Sequence, residues 1–198
     1  MNGATSNSPV IEPNETDHDA ESRARSIRVL FSEKRIALRI EELADEIAAA
    51  MPKELVVISV LKGGFIFTAD LIRALHRANF EPEIDFLKLS SYGAGTESTG
   101  DMNILFDLSA NVADREVLIV DDILDTGRTI SLARQLLVDR AAASVKTCCL
   151  LDKAERRLVD IQADFIGFPC PNEFVVGYGL DYAHRYRELP FIGVLSET

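Results

Sequence analysis

The stretch Val117-Leu118-Ile119-Val120-Asp121-Asp122-Ile123-Leu124-Asp125-Thr126-Gly127-Arg128-Thr129 limits what this chain can become more than any other. Its four leading apolar residues suit a strand buried on both faces, the kind found inside parallel sheets. Two adjacent carboxylates, Asp121 and Asp122, follow where such a strand is expected to emerge into solvent. A Thr126-Gly127 turn comes next, then a helical pattern with Ile130, Ala133, Leu136 and Leu137 on one face. In an open α/β sheet, ligands bind at the carboxyl ends of strands, and a helix N-terminus there favours anions. The stretch therefore points to a phosphorylated ligand that also carries hydroxyls or a metal ion.

A plainer account makes Asp125 a helix cap and the turn an ordinary loop. It leaves Asp121 and Asp122 unexplained, because neighbouring carboxylates repel one another unless a cation or a set of hydroxyls holds them. Two familiar phosphate motifs fail on spacing. The chain has no Gly-x-x-x-x-Gly-Lys-Ser/Thr run. The turn has one glycine, Gly127, where a dinucleotide fingerprint needs three.

At 198 residues, 47% of them hydrophobic, the chain suits one α/β domain with a sizeable core. It has no apolar run of about eighteen residues and no basic-then-apolar leader, so no membrane partner is expected and the cytoplasm is the default setting. Cys148, Cys149 and Cys170 lack metal-ligand spacing and are read as small buried apolar residues. The net charge of −11 argues against a nucleic-acid partner, which needs a basic face. It also requires any pyrophosphate site to be locally basic or neutralised by a divalent cation.

Residues 1–24 hold five acids and one arginine with no hydrophobic period, and are expected to form a disordered acidic tail. Ser32 precedes a helix with Ile36, Ile40, Leu43 and Ile47 on one face, ending before Pro52. Leu55 to Leu61 reads as a second buried strand, followed by Lys62-Gly63-Gly64 and an apolar helix from Phe65 to about Leu75. Glycines let backbone amides approach a ligand and Lys62 adds charge, so this too is an anion-site layout, although glycine pairs also make plain turns.

Ile84 to Ser90 predicts a strand, with Asn103 to Leu108 returning beside it. Between them, the small polar run from Ser91 and Tyr92 to Gly100 reads as a mobile lid, over about residues 90 to 103. A lid that excludes water would protect an activated sugar from hydrolysis. Val145 to Leu151 and Asp164 to Phe168 are further strands. Phe174 to Tyr182 mixes aromatics, glycines and Asp181, as suits a face that stacks a flat ring. A hydrophobic edge hairpin accounts for that composition equally well. Arg185 and Arg187 follow, then a short strand from Ile192 to Val194.

The Val117-to-Thr129 run closely resembles the phosphoribosyl-pyrophosphate signature of type I phosphoribosyltransferases. Lys62-Gly63-Gly64, the Ser91-Tyr92 lid, Lys153 and the Phe174-to-Arg187 segment fall in the order and spacing of hypoxanthine(-guanine) phosphoribosyltransferases of the short bacterial type. The resemblance runs from about residue 25 to 195. It implies one domain over residues 25–198, with a parallel-sheet α/β core, flanking helices, a flexible lid hairpin and a small hood. The hood would be built from the N-terminal helix and the segment 165–195.

The resemblance also implies roles. Asp121 and Asp122 would hold the ribose hydroxyls of phosphoribosyl pyrophosphate, one of them through the cofactor Mg2+, so both count with Asp181 as metal-site residues. Asp125 would be the general base at N7 of a 6-oxopurine, and Asp125, Thr126, Gly127, Arg128 and Thr129 would cradle the 5′-phosphate. Lys62, Gly63 and Arg187 would grip pyrophosphate, and the peptide after Lys62 would be cis. Lys153, Phe174, Val175 and Asp181 would face the purine, and Asp181 would help bind magnesium. Many relatives carry Glu in place of Asp121, one methylene longer, so the ribose contact here is expected to be looser or water-bridged. A homodimer or homotetramer acting on hypoxanthine, and on guanine, is the expected enzyme. The alternatives are a xanthine-preferring relative and a regulatory protein that senses phosphoribosyl pyrophosphate while binding nucleic acid. The latter is disfavoured by the excess of acids that persists beyond the tail.

Overall fold

The structure, a computed structural model, describes residues 25–91 and 102–197. The expected tail (1–24), Tyr92 and most of the lid lie outside the described residues. The six-stranded sheet has β2 (Leu55–Leu61) and β5 (Glu116–Leu124) at its centre. β3 (Glu83–Ser91) pairs parallel with β2, and β6 (Ser144–Asp152) pairs parallel with β5. β7 (Phe165–Pro169) extends the parallel run beyond β6, whereas β4 (Met102–Phe106) closes the other edge antiparallel to β3. The result is the mixed α/β architecture expected, with one helix carrying the chain from β2 to β3 and another from β5 to β6.

Both faces of this sheet are covered, which explains the unbroken apolar strands. On β5, Leu118 and Val120 enter one core, while Val117 and Ile119 enter the other. Cys148 and Cys149, adjacent on β6, divide between the same two cores, as alternation along a strand requires. All three cysteines are free and buried.

One face is packed by α1 (Glu33–Ala50) and α2 (Phe65–Arg77). Helix α1 starts at Ser32, whose side chain accepts the Arg35 N–H, and buries Ile36, Ile40, Leu43 and Ile47 in the predicted stripe. The opposite face is packed by α3 (Arg128–Asp139), which buries Ile130, Ala133 and Leu137. Leu136, predicted on that face, is only partly buried. No described helix is long and apolar enough to cross a membrane.

A second, three-stranded antiparallel sheet forms from β1 (Arg25–Phe31), β9 (Ile192–Glu197) and the two-residue β8 (Val175–Val176). This corrects the expected boundaries of the hood. Residues 165–169 belong to the large sheet, because β7 pairs with β6. Helix α1 is bound to that large sheet, where the Arg39 guanidinium donates to the carbonyls of Gly167 and Ile166. The small sheet gains β1, which the sequence reading left without a structure. The two sheets meet where the Phe31 ring stacks on Phe168, with centroids 4.3 Å apart.

Candidate active site

Lys62, Asp122 and Lys153 come from three neighbouring strands, Asp122 from within β5, and the parallel sheet sets them side by side. β2 ends at Leu61 and delivers Lys62 and Gly63; β6 ends at Asp152 and delivers Lys153. β5 differs from expectation here. Its pairing with β6 continues to Leu124, so Asp121 and Asp122 lie inside the strand and are buried, rather than emerging into solvent.

The strand ends open into a cavity of about 460 Å³, which is roofed by the chain from Phe174 to Arg187. Lys62, Gly63, Asp122, Asp125, Lys153, Phe174, Val175, Asp181 and Arg187 all line it, as do Lys88 and His184. Four cationic side chains therefore meet three carboxylates, so the site is locally basic in an acidic chain. Two further hollows of similar volume border α2, but their main charges are paired with one another, Arg77 with Glu41 and Arg73 with Asp70.

The packing at one wall needs glycine twice. A Cβ on Gly63 would lie 1.6 Å from Asp122 Oδ2. A Cβ on Gly179, whose φ is +98°, would lie 2.2 Å from the Gly63 carbonyl oxygen. Asp122, Gly63 and Gly179 thus stack with no side chain between them. The cis peptide here is Leu61–Lys62, one bond before the position expected.

Charge at the site is unevenly satisfied. Burial pushes the Asp121 carboxyl well above the ordinary range, and the charge of Asp122 pushes it the same way. Burial also raises Asp122, opposed by a hydrogen bond to Asp121, the Ile123 N–H and the positive charge of Arg187. Asp121 Oδ1 accepts the Asp122 N–H at 2.9 Å. Asp125 Oδ1 is held by Arg156 Nε at 2.7 Å. Lys153 Nζ donates to the Glu173 carbonyl at 2.7 Å, so one of its three protons is committed. The Phe174 ring is half exposed and held at its side by Tyr182 in an edge-on contact, with centroids 5.7 Å apart. Asp181 pairs with Arg187 Nη2 at 2.6 Å and accepts the His184 N–H at 2.8 Å.

This chain matches the family described as the phosphoribosyl transferase domain over residues 28–183. It is 46% identical over 171 residues to the hypoxanthine phosphoribosyltransferase of Buchnera aphidicola, covering 85% of this chain and 95% of that protein. The hypoxanthine-guanine phosphoribosyltransferase of Streptococcus agalactiae is 45% identical, with 86% and 93% covered. A crystal structure of a hypoxanthine phosphoribosyltransferase from Staphylococcus aureus superposes with a TM-score of 0.80 at 40% identity, covering 92% of this chain and 97% of that one. The chain belongs to the hypoxanthine(-guanine) phosphoribosyltransferase family.

Within this phosphoribosyltransferase, nine predicted site residues share one cavity, and others lie apart from it. Asp121 is not among the lining residues. Thr126, Gly127, Arg128 and Thr129 form the turn into α3, with Gly127 at φ +86° and the Thr126 hydroxyl accepting the Arg128 N–H at 3.4 Å. Ser91 is the last residue of β3, and Tyr92 lies outside the described residues. Sequence reasoning missed Lys88, His184, Arg156 and Arg157. Lys88 had a signal, since it is the lone cation inside a predicted strand. So did the arginine pair, two adjacent cations just after Lys153 in an acidic chain.

Proposed function

We propose that this phosphoribosyltransferase moves the phosphoribosyl group of phosphoribosyl pyrophosphate onto N9 of hypoxanthine, and of guanine, releasing pyrophosphate. The observation that carries this reading is a carboxylate pair, Asp122 and Asp125, sharing one cavity with the Lys153 ammonium and the half-exposed Phe174 ring.

In the reaction the bond from C1 of the sugar to the pyrophosphate oxygen breaks and a bond from C1 to N9 forms. The purine gives up its N7 proton, and Asp125 receives it, a general-base contribution worth roughly 10²–10⁴-fold. Asp122 binds the ribose hydroxyls, and Asp121 supports it from the preceding position. The turn from Thr126 to Thr129 takes the 5′-phosphate on backbone N–H groups at the start of α3. Lys62, the Gly63 amide and Arg187 stabilise the charge that builds on pyrophosphate. Phe174 stacks on the base and Val175 contacts it through its backbone.

Lys153 keeps two protons beyond the one given to Glu173, enough to donate to a 6-oxo group. The 6-amino group of adenine would meet donor with donor, a polar mismatch that closed sites penalise strongly. Magnesium fits the donor set. Asp122 and Asp181 are hard oxygen donors on one cavity, and among the described residues no group of three or more His, Cys, Asp or Glu forms a closed cage. That suits an ion which keeps waters and takes its other ligands from phosphates. When bound, it neutralises charge on the leaving group. Assembly as a homodimer or homotetramer is supported by exposed Ile104, Leu105 and Phe106 on the outermost strand β4, beside Phe86 on β3. The three free cysteines accord with a cytoplasmic setting.

The test is a spectrophotometric assay with phosphoribosyl pyrophosphate, Mg2+ and each of hypoxanthine, guanine, xanthine and adenine. Turnover with the first two and none with adenine is expected; inactivity with every purine ends the proposal. Asp125→Asn is expected to lower turnover roughly 10²-fold while donor binding, followed by calorimetry, survives.

A further inference from the structure

The acceptor of the N7 proton is gripped by two residues that no role above uses. Arg156 and Arg157 belong to the short turn after β6, which starts at Lys153. Arg156 Nε holds Asp125 Oδ1 at 2.7 Å, while among the described residues Asp125 Oδ2 makes no hydrogen bond. Arg157 Nη1 donates to two successive carbonyls, Leu124 at 2.9 Å and Asp125 at 2.5 Å. Its Nη2 pairs with Asp152 at the end of β6. The neighbouring backbone continues the contact. Lys153 N–H donates to the Leu124 carbonyl, and the Leu158 and Val159 N–H groups both donate to Thr126.

Residues 124–126 are thus held at every carbonyl by the segment that begins with the purine-facing lysine. We propose that Arg156 and Arg157 are positioning residues for the general base: Arg157 fixes the backbone from which Asp125 projects, and Arg156 fixes its side chain. This inference rests on the proposed role of Asp125. The two arginines divide the task by environment. Arg157 is largely buried, and its fork satisfies carbonyls that β5 leaves behind as it ends. The Arg156–Asp125 pair is 48% and 38% exposed, and a pair that open adds little to stability. Holding one carboxylate oxygen, however, removes a rotational freedom the base would otherwise have to lose in the transition state. The arrangement also links recognition to chemistry. Lys153, which faces the purine, and Arg156, which aims the base, are three residues apart on one turn.

The experiment is a double-variant cycle with Arg156→Gln and Asp125→Asn, reading kcat, both KM values and the melting temperature. Arg156→Gln is expected to lower kcat about 10-fold, with both KM values within about 2-fold and melting unchanged. Added to Asp125→Asn, it is expected to cost nothing further, because the two act as one unit. Arg156→Lys should restore part of kcat. An undiminished kcat in Arg156→Gln, or an equal loss in both backgrounds, overturns the proposal. Full turnover in Asp125→Asn alone instead faults the base assignment beneath it. For Arg157, Arg157→Ala is assayed with added guanidinium ion after circular dichroism confirms the fold. Partial recovery of kcat is expected, and none in a folded variant removes Arg157 from the clasp.

Discussion

Asp85 and the Asp121–Asp122 pair expose nearly the same small fraction of their surface, yet the protein treats them in opposite ways. Asp85, on β3, accepts three backbone N–H bonds, from Phe86 at 2.8 Å and from Ser109 and Ala110 at 2.7 Å each. Burial alone would raise its carboxyl, but those N–H groups outweigh it and hold Asp85 below the ordinary range. Asp121 accepts one such bond, from the next residue, and has another carboxylate as its neighbour. Its carboxyl is raised by burial and by that neighbour. A carboxylate that pins a loop arrives fully solvated by backbone. A carboxylate kept for a ligand is left short, and the ligand's hydroxyls or cation complete it. Unequal satisfaction at similar exposure, with the unsatisfied pair set deeper, separates architecture from site.

The sharpest way to break this contrast is to neutralise each side. Asp122→Asn is expected to cost about 10³-fold in kcat/KM for phosphoribosyl pyrophosphate with no loss of melting temperature. Equal losses of activity and stability would make Asp122 architectural. Asp85→Asn is expected to do the reverse: turnover within about 2-fold of wild type, and stability lowered by about 2 kcal/mol in denaturant melts. The new amide can accept from Ser109 and Ala110 only by turning its NH2 on the Phe86 N–H. Because folded Asp85 titrates below its unfolded value of about 3.9, its contribution is complete above that pH. It disappears as pH falls through the lower folded value, so the gap between variant and wild type should close in acid.

Asp121→Asn gives the smallest effect and the opposite sign. Its folded carboxyl is raised, so the stability of the protonated form is complete below about pH 3.9 and is lost as pH rises through the folded value. Without Mg2+ or substrate, the asparagine variant is expected to be more stable than wild type at neutral pH by about 1 kcal/mol, a few degrees of melting temperature, with no difference in strong acid. A variant less stable at neutral pH would show Asp121 to be paid for within the fold and dissolve the contrast.

How much of this could be read beforehand depends on how local each signal was. The Val117-to-Thr129 run announced a buried strand, acids and a helix start because all three are encoded within thirteen consecutive residues. The extent of β5 was not encoded there. Asp121 and Asp122 stay in the strand because β6 keeps pairing beside them as far as Asp152. Strand β1 was invisible for a related reason: its partner, β9, lies at the far end of the described chain, and Val29 remains half exposed, blurring any alternation. The pair Arg156–Arg157 showed in the sequence only as two adjacent cations, since nothing near it reveals that the Leu124 and Asp125 carbonyls lie across the turn. The site's membership was legible through Lys62, Asp122, Asp125, Lys153, Phe174 and Arg187. Their relations to one another required the folded chain.

The seam of Asp122, Gly63 and Gly179 has a consequence for inhibitors. A compound seated against that wall meets peptide backbone at Gly63, not a side chain that exchange can trim or enlarge. Even a methyl at either glycine collides with carboxylate or carbonyl oxygen, so resistance by substitution there would disable the enzyme along with the drug's foothold.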